Sequence, residues 1–231
     1  MVRTVGAARP ECVLFDFGGT LDADGETWKA RVHRLLQDEG LTVPAARFDS
    51  LFYAADDALV GTVPSTLSFL ETVRRLVAGV ATGLAYGDDA LVQRVATRFV
   101  GDAQQALQRN ASVLTSLRRR YRIGLVSNFY GNLDAVCGEC GIRELFSVVI
   151  DSTRIGLSKP DPAIFRAALH ALEVWPAAAT FVGDSLLRDM AGARAVGMPH
   201  VWLAGLSSVG PPCCPGDAVV QSVKGLEDLL L

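Results

Sequence analysis

Cys12-Val13-Leu14-Phe15-Asp16-Phe17-Gly18-Gly19-Thr20-Leu21-Asp22 decides how the rest of the chain is read. Four largely apolar residues run straight into a carboxylate, and two glycines and a threonine follow. A short apolar run bounded by turn residues predicts a buried parallel strand, its carboxyl end delivering Asp16 into a tight turn. Ligands of open α/β sheets bind just beyond the carboxyl ends of the strands, which is where Asp16 falls.

Downstream of this stretch the periodicity changes. Thr27 to Glu39, with Trp28, Val32, Leu35 and Leu36 at helical spacing, predicts a helix that stops at Gly40. Pro44 to Leu59, Pro64 to about Leu84 and Asp88 to Leu107 predict three more. Phe48, Phe52, Tyr53, Phe69, Tyr86 and Phe99 fall at helical spacing and are expected in its core. From Asn110 strands alternate with helices. A helix over Ala111 to Arg120 leads to a strand from Arg122 ending at Ser127-Asn128, and a helix over Leu133 to Cys140 leads to a strand from Ser147 ending at Asp151. After a helix from Ala163 to Leu172, the strand Thr180 to Val182 ends at Gly183-Asp184-Ser185. A helix from Leu187 to Val196, a strand from His200 to Leu203 and a short helix near Leu226 complete the chain. This alternation predicts an α/β fold, a doubly wound (Rossmann-like) parallel sheet. Its first strand is separated from the others by an all-helical insert. Residues 1–23 and 108–231 are expected to form the core domain and residues 24–107 the insert, placed where it can close over Asp16.

Composition narrows the function. The chain has 231 residues, enough to bury a core with an insert, and is 50% hydrophobic and 20% charged, as ordinary globular domains are. A net charge of −3 argues against nucleic acid as a partner. The one basic run, Arg118 to Arg122, suits the last turn of a helix. No stretch is apolar enough to span a membrane, and Met1 to Pro10 lacks a secretory pattern, so the expectation is a soluble cytoplasmic protein. The five cysteines, including Cys137, Cys140 and the vicinal Cys213-Cys214, read as free thiols, because a vicinal pair spaces zinc ligands poorly.

The strand ends present Asp16, Ser127 and Asp184, and a loop presents Lys159. A single strand-end Asp or Ser commonly only caps the next helix. Jointly, though, a carboxylate can attack phosphorus or hold a divalent cation, while a hydroxyl and an ammonium can hold phosphoryl oxygens. The set suits phosphoryl transfer.

These segments resemble the haloacid dehalogenase superfamily. Asp16-Phe17-Gly18-Gly19-Thr20-Leu21 is similar to its first motif, Ser127 after Gly124-Leu125-Val126 to its second, Lys159-Pro160 to its third and Gly183-Asp184-Ser185-Leu186-Leu187-Arg188-Asp189 to its fourth. The insert resembles the helical cap domain of the family's first subclass. The resemblance implies that Asp16 is the nucleophile and forms an aspartyl-phosphate. It also implies that Mg²⁺ is held by the Asp16 and Asp184 side chains and the Gly18 carbonyl. Ser127 would bind the phosphoryl group, Lys159 would neutralise charge, Asp189 would orient Lys159, and Asn128 would line the substrate pocket. The implied substrate is a small phosphorylated metabolite, and the implied assembly a monomer or homodimer.

The chain departs from the family pattern at Gly18. Phosphatases of the family usually carry a second aspartate there, as general acid for the leaving group. Such help is worth about 10²–10⁴ in rate, roughly 3–5 kcal/mol of barrier. Asp22, Asp24 and His33 are candidate replacements, and Arg31 and Arg34 candidates for a second anionic group on the substrate. Two alternatives follow from the same residue: a catalytically weak binding or regulatory protein, or a C–halogen or C–P hydrolase. A C–P hydrolase of this type relies on a cap lysine, and Lys29 is the one lysine in the insert.

Overall fold

A computed structural model describes residues 10–205 and 217–231. A six-stranded, all-parallel sheet is built from β1 (Cys12–Phe15), β2 (Arg122–Ser127), β3 (Val148–Asp151), β4 (Ala179–Gly183), β5 (His200–Leu203) and β6 (Ala218–Val220). Their order is β3-β2-β1-β4-β5-β6. The chain winds outward from β1 in one direction, returns, and winds outward again from β4. β1 therefore lies at the switch point, paired with β2 through Phe15 and Leu125 and with β4 through Phe15 and Val182. A further hydrogen bond, from the Asp16 amide to the Val182 carbonyl at 2.9 Å, extends this pairing to the residue that leaves the sheet. The ends of β1, β2 and β4 are thus neighbours, where an open α/β sheet binds its ligands.

Alternation along β1 supplies both faces of the sheet. Val13 and Phe15 pack with α4 (Asp89–Arg118) and its neighbours, whereas Cys12 and Leu14 pack with Phe165 of α7 (Pro162–Ala171) and Ala193 of α8 (Ala191–Ala195). Between β1 and β2 the chain is helical: α1 (Trp28–Asp38), α2 (Ala45–Leu59), α3 (Phe69–Gly83) and α4. Side chains of Thr27, Ser68 and Asp88 accept hydrogen bonds from the first-turn amides of α1, α3 and α4. Shorter helices α5 (Leu133–Glu139), α6 (Ser152–Ile155) and α9 (Leu226–Leu230) complete the fold. Among the described residues, no helix is long and apolar enough to cross a membrane.

Three expectations are corrected. The break at Asn110 does not exist: α4 runs unbroken for 30 residues, and Asn110 is buried within it, its amide donating to the Leu21 carbonyl at 2.9 Å. The third helix starts at Phe69 rather than Pro64, because Ser68 caps it. Leu187 to Val196 is a five-residue wide turn over Leu186–Met190 followed by α8, and edge strand β6 is an addition.

Candidate active site

The turn after β1 is shaped by close approach. Gly19 has φ 88°, and a Cβ there would lie 2.6 Å from Asp184 Oδ2, so only glycine lets the two strand ends meet. Gly183 is equally constrained, since its Cβ would fall 2.4 Å from Asp189 Oδ2. Asp22 then locks the turn: its carboxylate accepts the Gly19 amide and the Trp28 indole N–H, each at 2.7 Å, and Arg31 reaches it at 3.4 Å.

Asp16 is buried at the end of β1. Its Oδ1 accepts two donors, the Ser127 hydroxyl at 2.7 Å and the Lys159 ammonium at 2.6 Å, while Oδ2 takes no hydrogen bond from any described residue. Lys159 also donates to Asp189 Oδ1 at 2.6 Å, and Asp189 Oδ2 accepts the Ser185 amide at 3.0 Å. The Asn128 side chain fixes the Lys159 backbone at both ends, donating to its carbonyl at 3.0 Å and accepting its amide at 2.8 Å. Thr20 donates to Asp184 Oδ1 at 3.1 Å. Asp16, Gly18, Ser127, Asn128, Lys159, Asp184 and Asp189 all line one cleft of about 930 Å³.

The charge balance of this cleft is uneven. Carboxylate oxygens of Asp16, Asp184 and Asp189 lie within 4.8 Å of one another, and one ammonium, Lys159, is paired with two of them. Burial would lower the Lys159 ammonium, but Asp16 and Asp189 outweigh it and hold it above its ordinary value. Burial pushes the Asp189 carboxyl up to about 6, against the pull of Lys159. Burial, followed by the charges of Asp189 and Asp16, raises the Asp184 carboxyl well above the usual range. Hard oxygen donors crowded into excess negative charge are what a small divalent cation compensates, so the residues present fit such an ion.

The candidate replacement acids point elsewhere. Asp22 is buried under the turn, Asp24 accepts the Val223 amide at 2.9 Å, and His33 bonds the Val43 carbonyl at 2.8 Å and stacks on Phe48. None lines the cleft. Arg31 is buried against Asp22 and Phe99, and Arg34 pairs with Glu26. Lys29 does line the cleft, but it is bonded to Asp49 at 2.7 Å, and that hydrogen bond raises its ammonium. A lysine destined for a Schiff base needs the opposite shift. Burial raises the thiols of Cys137 and Cys140, which are free. Cys213 and Cys214 lie outside the described residues.

Three cleft residues were invisible to sequence reasoning. Trp28 covers Gly18, at whose position a Cβ would lie 3.0 Å from the indole Nε1. Tyr130, beyond Ser127, donates its hydroxyl hydrogen to Asp56 Oδ1 on α2. The Tyr130–Asp56 contact joins elements far apart in the chain, and no spacing announces either contact. Of the six aromatic residues expected in a helical core, Phe48, Phe52, Phe69 and Phe99 are buried, whereas Tyr53 and Tyr86 are exposed.

The family model for haloacid dehalogenase-like hydrolases matches residues 10–197. Haloacid dehalogenase-like hydrolase domain-containing protein 3 of Bos taurus is 41% identical over 108 residues, 46% of this chain and 43% of that protein. Phosphoserine phosphatase of Thermus thermophilus is 38% identical over 101 residues, 42% of this chain and 40% of that one. The chain thus spans less than half the length of either relative. A magnesium-bound crystal structure of YfnB from Bacillus subtilis superposes with a TM-score of 0.63 at 18% identity, covering 96% of this chain and 99% of that one, a likeness of fold. With four motif-bearing segments meeting at one switch point and the family model spanning β1 to β4 and the helices between them, the chain belongs to the haloacid dehalogenase-like hydrolase family.

Proposed function

We propose that the protein is a Mg²⁺-dependent phosphomonoester hydrolase that acts on a small phosphorylated metabolite through an aspartyl-phosphate on Asp16. The observation that carries this reading is the asymmetry of the Asp16 carboxylate. Oδ1 is held by Ser127 and Lys159, so Oδ2 is left as an oriented nucleophile in the cleft.

Oδ2 attacks phosphorus, the ester oxygen departs, and water then cleaves the acyl phosphate. Lys159 balances charge on Asp16 and the transferring group and keeps hold of Oδ1, while the Ser127 hydroxyl turns from Oδ1 to a phosphoryl oxygen as substrate enters. Asp189 keeps Lys159 in place, and Asn128 pins its backbone. The Asp16 and Asp184 side chains and the Gly18 carbonyl would hold Mg²⁺, which supplies charge neutralisation for the phosphoryl oxygens. Residues 24–107 act as the lid over this site, contributing Trp28, Lys29 and Asp56 to the cleft wall. Likeness to a phosphoserine phosphatase supports a phosphate ester as substrate class. The pinned Lys29 and the acidic cluster weigh against C–P and metal-free C–halogen cleavage, and the complete Asp16, Ser127, Lys159 and Asp184 set weighs against a purely regulatory role.

A panel of phosphate esters with Mg²⁺ tests the reading. Phosphate should appear with the native protein and not with Asp16→Asn. Silence on every ester at saturating metal, or halide release without metal, would overturn it.

A further inference from the structure

Resting on that reading, we infer that Asp56 of α2, positioned by Tyr130, donates the leaving-group proton that residue 18 cannot supply.

The turn itself is closed to an acid. Trp28 fills the space beside Gly18, and its indole N–H is committed to Asp22. The proton must come from the rest of the cleft wall, where the other titratable residues are Lys29, Tyr53, Asp56, Asp57, Tyr130 and Arg188. Lys29 is held by Asp49, with its ammonium 5.2 Å from the centre of the Tyr53 ring, and Tyr53 itself is exposed. Arg188 carries a guanidinium, which is a hydrogen-bond donor and standing positive charge rather than an acid catalyst. Burial drives the Tyr130 phenol well above its ordinary range, so Tyr130 keeps its proton and donates the hydrogen bond. Asp57 is an exposed carboxylate in water.

Asp56 differs from all of these. It is partly buried, Tyr130 holds its Oδ1, and its Oδ2 takes no hydrogen bond from any described residue. Burial raises its carboxyl and the Asp57 charge adds to the effect, while the Tyr130 hydrogen bond and Arg188 oppose it. A carboxyl placed this way in a substrate cleft is what a general acid requires. Tyr130 lies three residues beyond Ser127, so one strand-end loop carries both the phosphoryl ligand and the clamp on the acid.

The step balances without a further reactant. Asp16 Oδ2 bonds to phosphorus as the phosphorus–oxygen ester bond breaks, and the Asp56 proton passes to the departing oxygen. In the second half, the Asp56 carboxylate takes a proton from the water that attacks the acyl phosphate, which regenerates both groups.

Asp56→Asn and Tyr130→Phe, each with Mg²⁺, are compared with the native protein on an alkyl phosphate and on 4-nitrophenyl phosphate. Loss of the acid should cut kcat on the alkyl ester by about 100-fold or more and on the nitrophenyl ester by less than about 5-fold. Tyr130→Phe should show the same asymmetry with a smaller loss, and a basic limb in the alkyl-ester pH profile should vanish in Asp56→Asn. Equal losses on both esters, or no loss, with an active native protein, would overturn the inference and leave the phosphatase reading standing. A native protein silent on the whole ester panel at saturating Mg²⁺ would overturn both.

Discussion

Trp28 occupies the space into which a side chain at residue 18 would grow, its Nε1 standing 3.0 Å from the Cβ such a side chain would need. Gly18 has ordinary backbone angles, φ −77° and ψ 119°, so nothing in the main chain forbids another residue there. The indole decides instead, and it is wedged among Phe69, Phe99, Phe129 and Tyr130 and bonded to buried Asp22. Gly18→Asp must therefore displace Trp28, at an overpacking cost of about 1–3 kcal/mol. Chemical denaturation should show that loss, and pairing the change with Trp28→Ala should make the two costs non-additive.

Asn128 acts on Lys159 through the backbone. Asn128→Ala removes two hydrogen bonds, a loss of about 1–3 kcal/mol in stability when each is worth about 0.5–1.5 kcal/mol. Lys159 should then sample positions away from Asp16, lowering kcat. Mg²⁺ affinity, measured calorimetrically, should not fall, because the amide touches no member of the acidic cluster and a displaced ammonium leaves that cluster more negative.

Metal binding should follow the Asp184 carboxyl. Burial and the adjacent Asp189 and Asp16 raise that group, and its protonated form does not bind a cation, so Mg²⁺ affinity should strengthen as pH rises. An ion held by the folded state and not by the unfolded chain adds stability, so Mg²⁺ at a hundred times its Kd should add about 2.7 kcal/mol. Thermal melts with Mg²⁺ and with chelator should differ by that amount in the native protein and coincide in Asp184→Asn.

Asp56 sets a pH dependence of stability. Its folded-state value is raised, chiefly by burial, so its contribution is present in full below the unfolded value and is lost as pH rises through the folded one. Asp56→Asn removes that loss. The melting temperature of the variant relative to the native protein should therefore climb from below about pH 4 to neutral pH. A flat difference would mean the carboxyl is not perturbed.

What could be read from the sequence was whatever one segment carries by itself. Val13-Leu14-Phe15 announces a buried strand because both of its faces are covered, and the glycines after Asp16 announce the turn because close packing on Asp184 demands them. Asp16, Ser127, Lys159 and Asp184 were legible as separate segment ends, and the sheet order brings them to one edge. The continuity of α4 was hidden, because Asn110 reads as a helix breaker until its amide is seen capping the Leu21 carbonyl. β6 was hidden by its length, three residues on a sheet edge. Trp28 and the Tyr130–Asp56 pair were hidden because their meaning lies in contacts between helices and strand-end loops, which leave no periodicity in either segment.

Borohydride trapping during turnover tests the central claim most directly. A phosphate ester is hydrolysed in the presence of Mg²⁺, the reaction is quenched into borohydride, and the peptide spanning residues 12–22 is sequenced by mass spectrometry. An acyl phosphate on Asp16 predicts homoserine at position 16, absent without substrate and absent from Asp16→Asn. Sustained phosphate release with Asp16 recovered unmodified, or with Asp16→Asn still turning over, would contradict covalent catalysis at this residue.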